Sequence, residues 1–131
     1  MASQYDLDVA ALMRRSVNNL DDASIAAYDA PFPDKHYKAG VRRFPEIVPT
    51  EPGMQGATTS QKARSWFRDH WQGESFMAIG QQDPVLGAPV MRKLRECIPG
   101  CPTPMEVPAA GHFVQDEGEL IALRACEAFG I

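Results

Sequence analysis

Two side chains of this sequence are placed to move a proton together: Asp83, in Gly80-Gln81-Gln82-Asp83-Pro84, and His112, in Ala109-Ala110-Gly111-His112-Phe113. A carboxylate that accepts one imidazole N–H fixes the ring in a single tautomer and stabilises the imidazolium that follows. The second ring nitrogen is then free to take a proton from water. Taken singly, neither residue is distinctive, since Asp before Pro is common in turns and a histidine after glycine can cap a helix. Their joint placement carries more weight. Each follows an apolar segment by a few residues, and functional groups collect beyond the carboxyl ends of strands in open α/β sheets.

The order, acid and then histidine, resembles that of α/β hydrolases, and such a hydrolase also needs a nucleophile on a sharp strand-to-helix turn, flanked by small residues. No Gly-x-Ser-x-Gly or Gly-x-Asp-x-Gly occurs in the 131 residues; Ser16 and Ser24 fall in helical patterns, and Ser60 is expected to cap a helix. Asp83 cannot take that role, because Gln81 and Val85 stand where the turn demands small side chains. The sequence thus offers an acid and a base without the group they would serve.

The elements that must position this pair lie in the second half of the chain. Residues 76–80, Phe-Met-Ala-Ile-Gly, form a continuous apolar run that predicts a strand covered on both faces. Pro89 suits a helix start, and Val90, Met91, Leu94 and Ile98 make one apolar face before Pro99-Gly100 ends it. A weaker strand is expected at residues 104–107, and a last helix carries Leu120, Ile121, Ala125 and Phe129. Ahead of these, a helix capped by Ser60 bears Ala63, Trp66, Phe67 and His70. The order αβαβα predicts adjacent parallel strands joined by a helical crossover. Two parallel strands do not make a stable sheet alone, so neighbours are expected from elsewhere.

The first half reads differently. Leu7, Ala11, Leu12 and Val17 recur at helical spacing, and a second helix follows the capping candidates Asp21 and Asp22. A third is expected to start after Asp34, whose carboxylate can cap it, and to run through Tyr37, Val41 and Phe44, with Pro45 kinking or stopping it. Turn formers crowd residues 50–60. The division drawn from these patterns is residues 1–49, a linker over 50–60, and residues 61–131.

Net charge −4, pI about 5.3, and the absence of any basic run longer than Arg14-Arg15 or Arg42-Arg43 argue against nucleic acid or an anionic membrane as partner. A small neutral or apolar ligand is easier to accommodate. The first residues, Met1-Ala2-Ser3-Gln4-Tyr5-Asp6, lack the basic start and apolar stretch of a secretion signal, so a soluble, cytosolic protein is expected. Three cysteines suit reduced thiols. Cys97 and Cys101 have no second ligand pair nearby, so no metal site is expected, and the chemistry sketched above calls for no cofactor.

Several segments resemble the C-terminal part of haloalkane dehalogenases: Tyr28-Asp29-Ala30-Pro31-Phe32-Pro33-Asp34, Tyr37-Lys38-Ala39-Gly40-Val41-Arg42-Arg43-Phe44-Pro45, Phe76-Met77-Ala78-Ile79-Gly80 and Ala110-Gly111-His112-Phe113-Val114-Gln115. Their order and spacing match from about Leu20 to Phe129, roughly the last two-fifths of such an enzyme. The resemblance implies the last two strands of an α/β-hydrolase sheet preceded by helical cap segments. In that family an aspartate displaces halide and forms an alkyl ester, which a histidine-activated water then cleaves. Asp83 would be the late acid and His112 the water-activating base. Phe44, Pro45, Val48, Val85, Leu86 and Phe113 fall where the family lines its apolar pocket, which points to a small halogenated substrate. The family's nucleophile and halide-holding tryptophans lie upstream of the matched part; Trp66 and Trp71 are expected to pack instead. Epoxide hydrolases share the same logic, but Tyr28 and Tyr37 resemble the dehalogenase cap pattern. The implied partners are therefore the remainder of a hydrolase or another copy of the chain, with homo-oligomers expected and no activity from this portion by itself.

Overall fold

The computed structural model describes residues 6–17 and 20–131. The sequence reading of residues 1–5 lies outside the described residues. The described residues fall into two compact units, one holding residues 6–15 and 20–62, the other holding Ser16, Val17 and Ala63–Ile131.

The first unit is helical. Helix α1 (Val9–Ser16) buries Val9 and Met13 at four-residue spacing, one face of a 3.6-residue period. Asp8 Oδ1 accepts the Ala11 N–H at 2.8 Å, which satisfies one of the donors that a helix start leaves open. Helix α2 (Asp22–Asp29) starts as its sequence suggests, with Asp21 at the N-cap accepting the Ser24 N–H at 2.7 Å.

Helix α3 (Ala39–Ile47) departs from expectation at both ends. The Asp34 carboxylate accepts the His36 N–H and so closes a local turn, while Lys38 occupies the N-cap without a side-chain bond. Pro45 lies inside the helix, which continues to Ile47. Proline there removes a hydrogen bond only in the last turn, where little helix remains to be broken. Lys38 itself is buried and pairs with Asp6 at 3.1 Å.

Helix α4 (Ala57–His70) begins before the expected cap, so Ser60 sits within its first turn and donates its N–H to the Gly56 carbonyl at 2.9 Å. Gly56 has φ +90°, a left-handed conformation that lets the chain turn sharply into the helix without a side-chain cap.

The second unit is a βαβ arrangement followed by a helix. Strands β1 (Ala78–Gly80) and β2 (Met105–Val107) pair in parallel, with Ala78 opposite Met105, Ile79 opposite Glu106 and Gly80 opposite Val107. A further bond from the Met105 N–H to the Met77 carbonyl lengthens the ladder. The crossover is α5 (Ala88–Arg95), and α6 (Gly118–Phe129) follows a 3-10 turn at Val114–Glu117.

Met77, Ile79 and Cys101 form the buried cluster, with Ala88, Met91 and Ile98 packed against it. Ile79 is only 2% exposed, so its burial contributes roughly 1.5–3 kcal/mol. Phe76 and Ala78, on the alternate positions, are half-buried, so β1 is covered fully on one face only. Helix α5 is shorter than its apolar pattern: Ile98 lies beyond it in a turn, and Val90 and Leu94 are exposed. Leu120, Leu123 and Phe129 of α6 are exposed as well. The Trp66, Phe67 and Trp71 rings pack on one another with centroids 5.4 to 6.1 Å apart, as the packing reading of the tryptophans expects. No helix of the described residues is long and apolar enough to cross a membrane.

Candidate active site

Parallel pairing brings the carboxyl ends of β1 and β2 side by side, and the loops that leave them are bonded together. The Gln81 N–H donates to the Val107 carbonyl at 3.1 Å and the Gln82 N–H to the Ala110 carbonyl at 3.0 Å. The Gln82 Nε2 reaches the Pro108 carbonyl at 3.0 Å. This close approach depends on glycine at two points. A Cβ on Gly80 would stand 2.7 Å from the Gly111 carbonyl oxygen and 2.9 Å from that of Ala110, distances that real Cβ atoms do not adopt. A Cβ on Gly111 would stand 2.5 Å from the Ser16 carbonyl oxygen, which accepts the His112 N–H at 3.2 Å.

These constraints bring Asp83 and His112 into contact. The imidazole Nδ1 lies 3.0 Å from Asp83 Oδ1 and 3.1 Å from Oδ2. With an ionised carboxylate facing it, Nδ1 carries the proton and Nε2 holds the free lone pair. The two side chains differ in exposure: Asp83 is 9% exposed and His112 33%. The acid is enclosed, while the ring remains open to solvent. Phe113 packs edge-on against the imidazole, with ring centroids 5.4 Å apart.

Asp83 is held ionised despite its burial. Loss of hydration pushes its pKa up, but the N–H groups of Leu86 and Val85, at 3.0 and 2.7 Å from Oδ1, together with His112, outweigh that push. The carboxyl accordingly lies below its ordinary value of 3.8. The two amide donors are the part of the site that the sequence reading missed. Their signal was in Asp83-Pro84-Val85-Leu86, because an Asx-type turn presents the N–H groups two and three residues on to the aspartate oxygen. Gly87 fits the same turn: a Cβ there would collide with the Asp83 carbonyl oxygen.

The residues assigned to a pocket by resemblance are distributed over both units. Phe44 and Pro45 lie on α3 and Val48 is its C-cap, and Phe44 and Val48 are exposed. Val85 and Leu86 are exposed beside Asp83, and Phe113 is half-buried beside His112. Among the described residues, no group of three or more His, Cys, Asp or Glu side chains could hold a metal ion.

An enclosed carboxylate bonded to a half-open imidazole can accept a proton from water and stabilise the resulting cation. No family model matches the chain. Individual proteins do. A haloalkane dehalogenase of Mycobacterium marinum is 37% identical over 103 residues, which cover 78% of this chain and 34% of that protein. One from Psychrobacter cryohalolentis is 36% identical over 113 residues, 82% of this chain and 36% of the relative. The solved tetrameric structure of the haloalkane dehalogenase DpaA from Paraglaciecola agarilytica superposes with a TM-score of 0.85 at 43% identity, covering 90% of this chain and 40% of that one. The chain spans about a third of the length of the curated relatives it matches.

Proposed function

We infer that this chain, homologous to part of a haloalkane dehalogenase and folded as part of an α/β hydrolase, contributes the acid and the base for hydrolysis of carbon–halogen bonds. The observation that carries this reading is the 3.0 Å contact between His112 Nδ1 and the enclosed Asp83 carboxylate. A nucleophilic carboxylate, which the elbow motifs of these 131 residues do not supply, displaces halide from carbon and becomes an alkyl ester. His112 Nε2 then takes a proton from water as the oxygen attacks the ester carbonyl. The alcohol leaves, the carboxylate is restored, and the proton on His112 returns to solvent. Asp83 stabilises the imidazolium throughout.

In this reading residues 1–49 belong to a helical cap, residues 50–60 link it to the core, and the resemblance assigns substrate-facing roles, for a small haloalkane, to Phe44, Pro45 and Val48 in the first unit and to Val85, Leu86 and Phe113 in the second. The 131-residue chain alone releases no halide, because groups that act as a unit lose nearly all their effect when the nucleophile is missing. The test mixes it with the nucleophile-bearing remainder of the Mycobacterium marinum relative and follows halide from a 1-haloalkane. The expected result is release that His112→Ala abolishes at the ester stage, with one equivalent of halide and trapped alkyl-enzyme. Steady turnover by the chain alone that survives both Asp83→Ala and His112→Ala would overturn the assignment.

A second reading, self-association without chemistry, draws on the exposed Val90, Leu94, Leu120 and Leu123 and on a parallel sheet of two strands. The structural relative is a tetramer. Light scattering after size-exclusion chromatography tests it, and a monomer at micromolar concentration would count against it.

A further inference from the structure

We propose that Gln82 is a positioning residue whose side-chain amide holds the base loop at the distance that the Asp83–His112 contact requires. The inference rests on the reading of those two residues as acid and base, and it names a group to which that reading gives no part. Gln82 directly precedes the acid, and it crosses to the other loop twice. Its backbone N–H donates to the Ala110 carbonyl at 3.0 Å, and its Nε2 donates to the Pro108 carbonyl at 3.0 Å. Pro108 is the first residue beyond β2, and Ala110 stands two before the histidine.

The two bonds do different work. Residues 108–110 form a turn in which the Ala110 N–H bonds back to the Val107 carbonyl. The Gln81 N–H holds Val107 at the start of this turn and the Gln82 N–H holds Ala110 at its end, which leaves the segment between them free to pivot about that line. The side-chain bond at Pro108 lies between the two points and opposes the pivot. A pivot would swing Gly111 and His112 against an acid that cannot follow, because two amide N–H groups already pin Asp83 Oδ1. Proline has no N–H, so the Pro108 carbonyl is the polar backbone group that residue can offer to a tether. Of the side chains at this point, glutamine supplies a neutral donor on an arm long enough to cross between loops. A carboxylate of the same shape would face the carbonyl without a proton to give.

The experiment uses the purified 131-residue chain and reads the His112 Nδ1–H by proton and nitrogen NMR, alongside thermal unfolding. Gln82→Glu keeps the shape and removes the donor at neutral pH; Gln82→Lys restores a donor; Asp83→Asn gives the signature of a broken pair. In Gln82→Glu the Nδ1–H should exchange with solvent about fivefold faster, the change that loss of one net neutral hydrogen bond corresponds to, and the Nε2–H tautomer should gain population. Gln82→Lys should return both toward the parent chain. Unfolding should follow the same order, with Gln82→Lys nearer the parent chain than Gln82→Glu, while the tautomer shift, which a merely less stable chain would not show, marks the pairing itself. If Gln82→Glu does not fold, the comparison of Gln82→Lys with Gln82→Met carries the same contrast of donor against no donor.

A parent-like Nδ1–H in Gln82→Glu, or equal disturbance in Gln82→Glu and Gln82→Lys, would overturn the tether. Either result would leave the acid–base reading untouched. Failure of the mixed halide assay with an intact Gln82 effect would instead remove the dehalogenase reading and leave the tether standing.

Discussion

Replacing Asp83 by alanine removes the acceptor on which two backbone N–H groups and an imidazole converge, at 2.7, 3.0 and 3.0 Å. Hydrogen bonds to a charged group contribute roughly 1.5–3 kcal/mol each. Their sum overstates the loss, because Val85 and Leu86 are exposed and water can take over their amides. The carboxylate's own desolvation is also relieved when it is gone. With these offsets the expected destabilisation of Asp83→Ala is about 2 kcal/mol, and that of Asp83→Asn, which keeps an acceptor oxygen, about 1 kcal/mol. The pH dependence follows from the lowered carboxyl pKa. As pH falls, the unfolded chain binds its proton first, near 3.8, and the folded chain later. Stability conferred by the ionised Asp83 is therefore complete above about pH 5, declines as pH drops through 3.8, and is lost below the folded value. Urea unfolding followed by tryptophan fluorescence at about pH 7 and about pH 3 measures it. Equal stability of parent and Asp83→Ala at the higher pH would refute the reasoning, as would a gap that widens on acidification.

Gly80→Ala places a Cβ against two backbone oxygens that have no rotamer to escape through, so it should cost about 1–3 kcal/mol and loosen the Nδ1–H of His112. A parent-like melting curve and imidazole signal would contradict that. Ile79→Lys puts an unpaired charge at a position 2% exposed and should lower stability by several kcal/mol. If β1 also mediates self-association, the same substitution should shift light scattering toward monomer, and a stable assembled variant would count against both claims.

The Asp83–His112 contact is more legible in the sequence than the helix ends are. Asp83 and His112 were found because each follows an apolar run, and parallel pairing of those runs leaves little choice but to put the following loops together. The start at Asp21 was legible for a similar reason: one side chain, three residues from its partner amide, decides the outcome. At Asp34, Pro45 and Ser60 the residue type does not by itself decide the outcome. Asp34 had a nearer amide to bond, Pro45 sat where only the last turn could suffer, and a left-handed Gly56 moved the start of α4 ahead of the serine. The apolar stripes of α5 and α6 fixed which residues share a face, but not whether anything covers it. Val90, Leu94, Leu120 and Leu123 remain exposed because periodicity describes a helix and says nothing of its neighbour.

The bond from the His112 N–H to the Ser16 carbonyl joins positions about three-quarters of the chain apart, and Gly111 must close to within contact of the same carbonyl. Closing so long a loop costs chain entropy before any bond returns it, and contacts of high sequence separation slow the approach to the native state. The β1–α5–β2 crossover can assemble from its own residues. The seat of the base cannot, since one of its walls comes from Ser16 and the other from Gly111, far apart along the chain. During synthesis the imidazole is therefore set in place only after β2 has left the ribosome and found a carbonyl made long before. A cut between Val17 and β1 would therefore delay the histidine more than it delays the strands on which it depends.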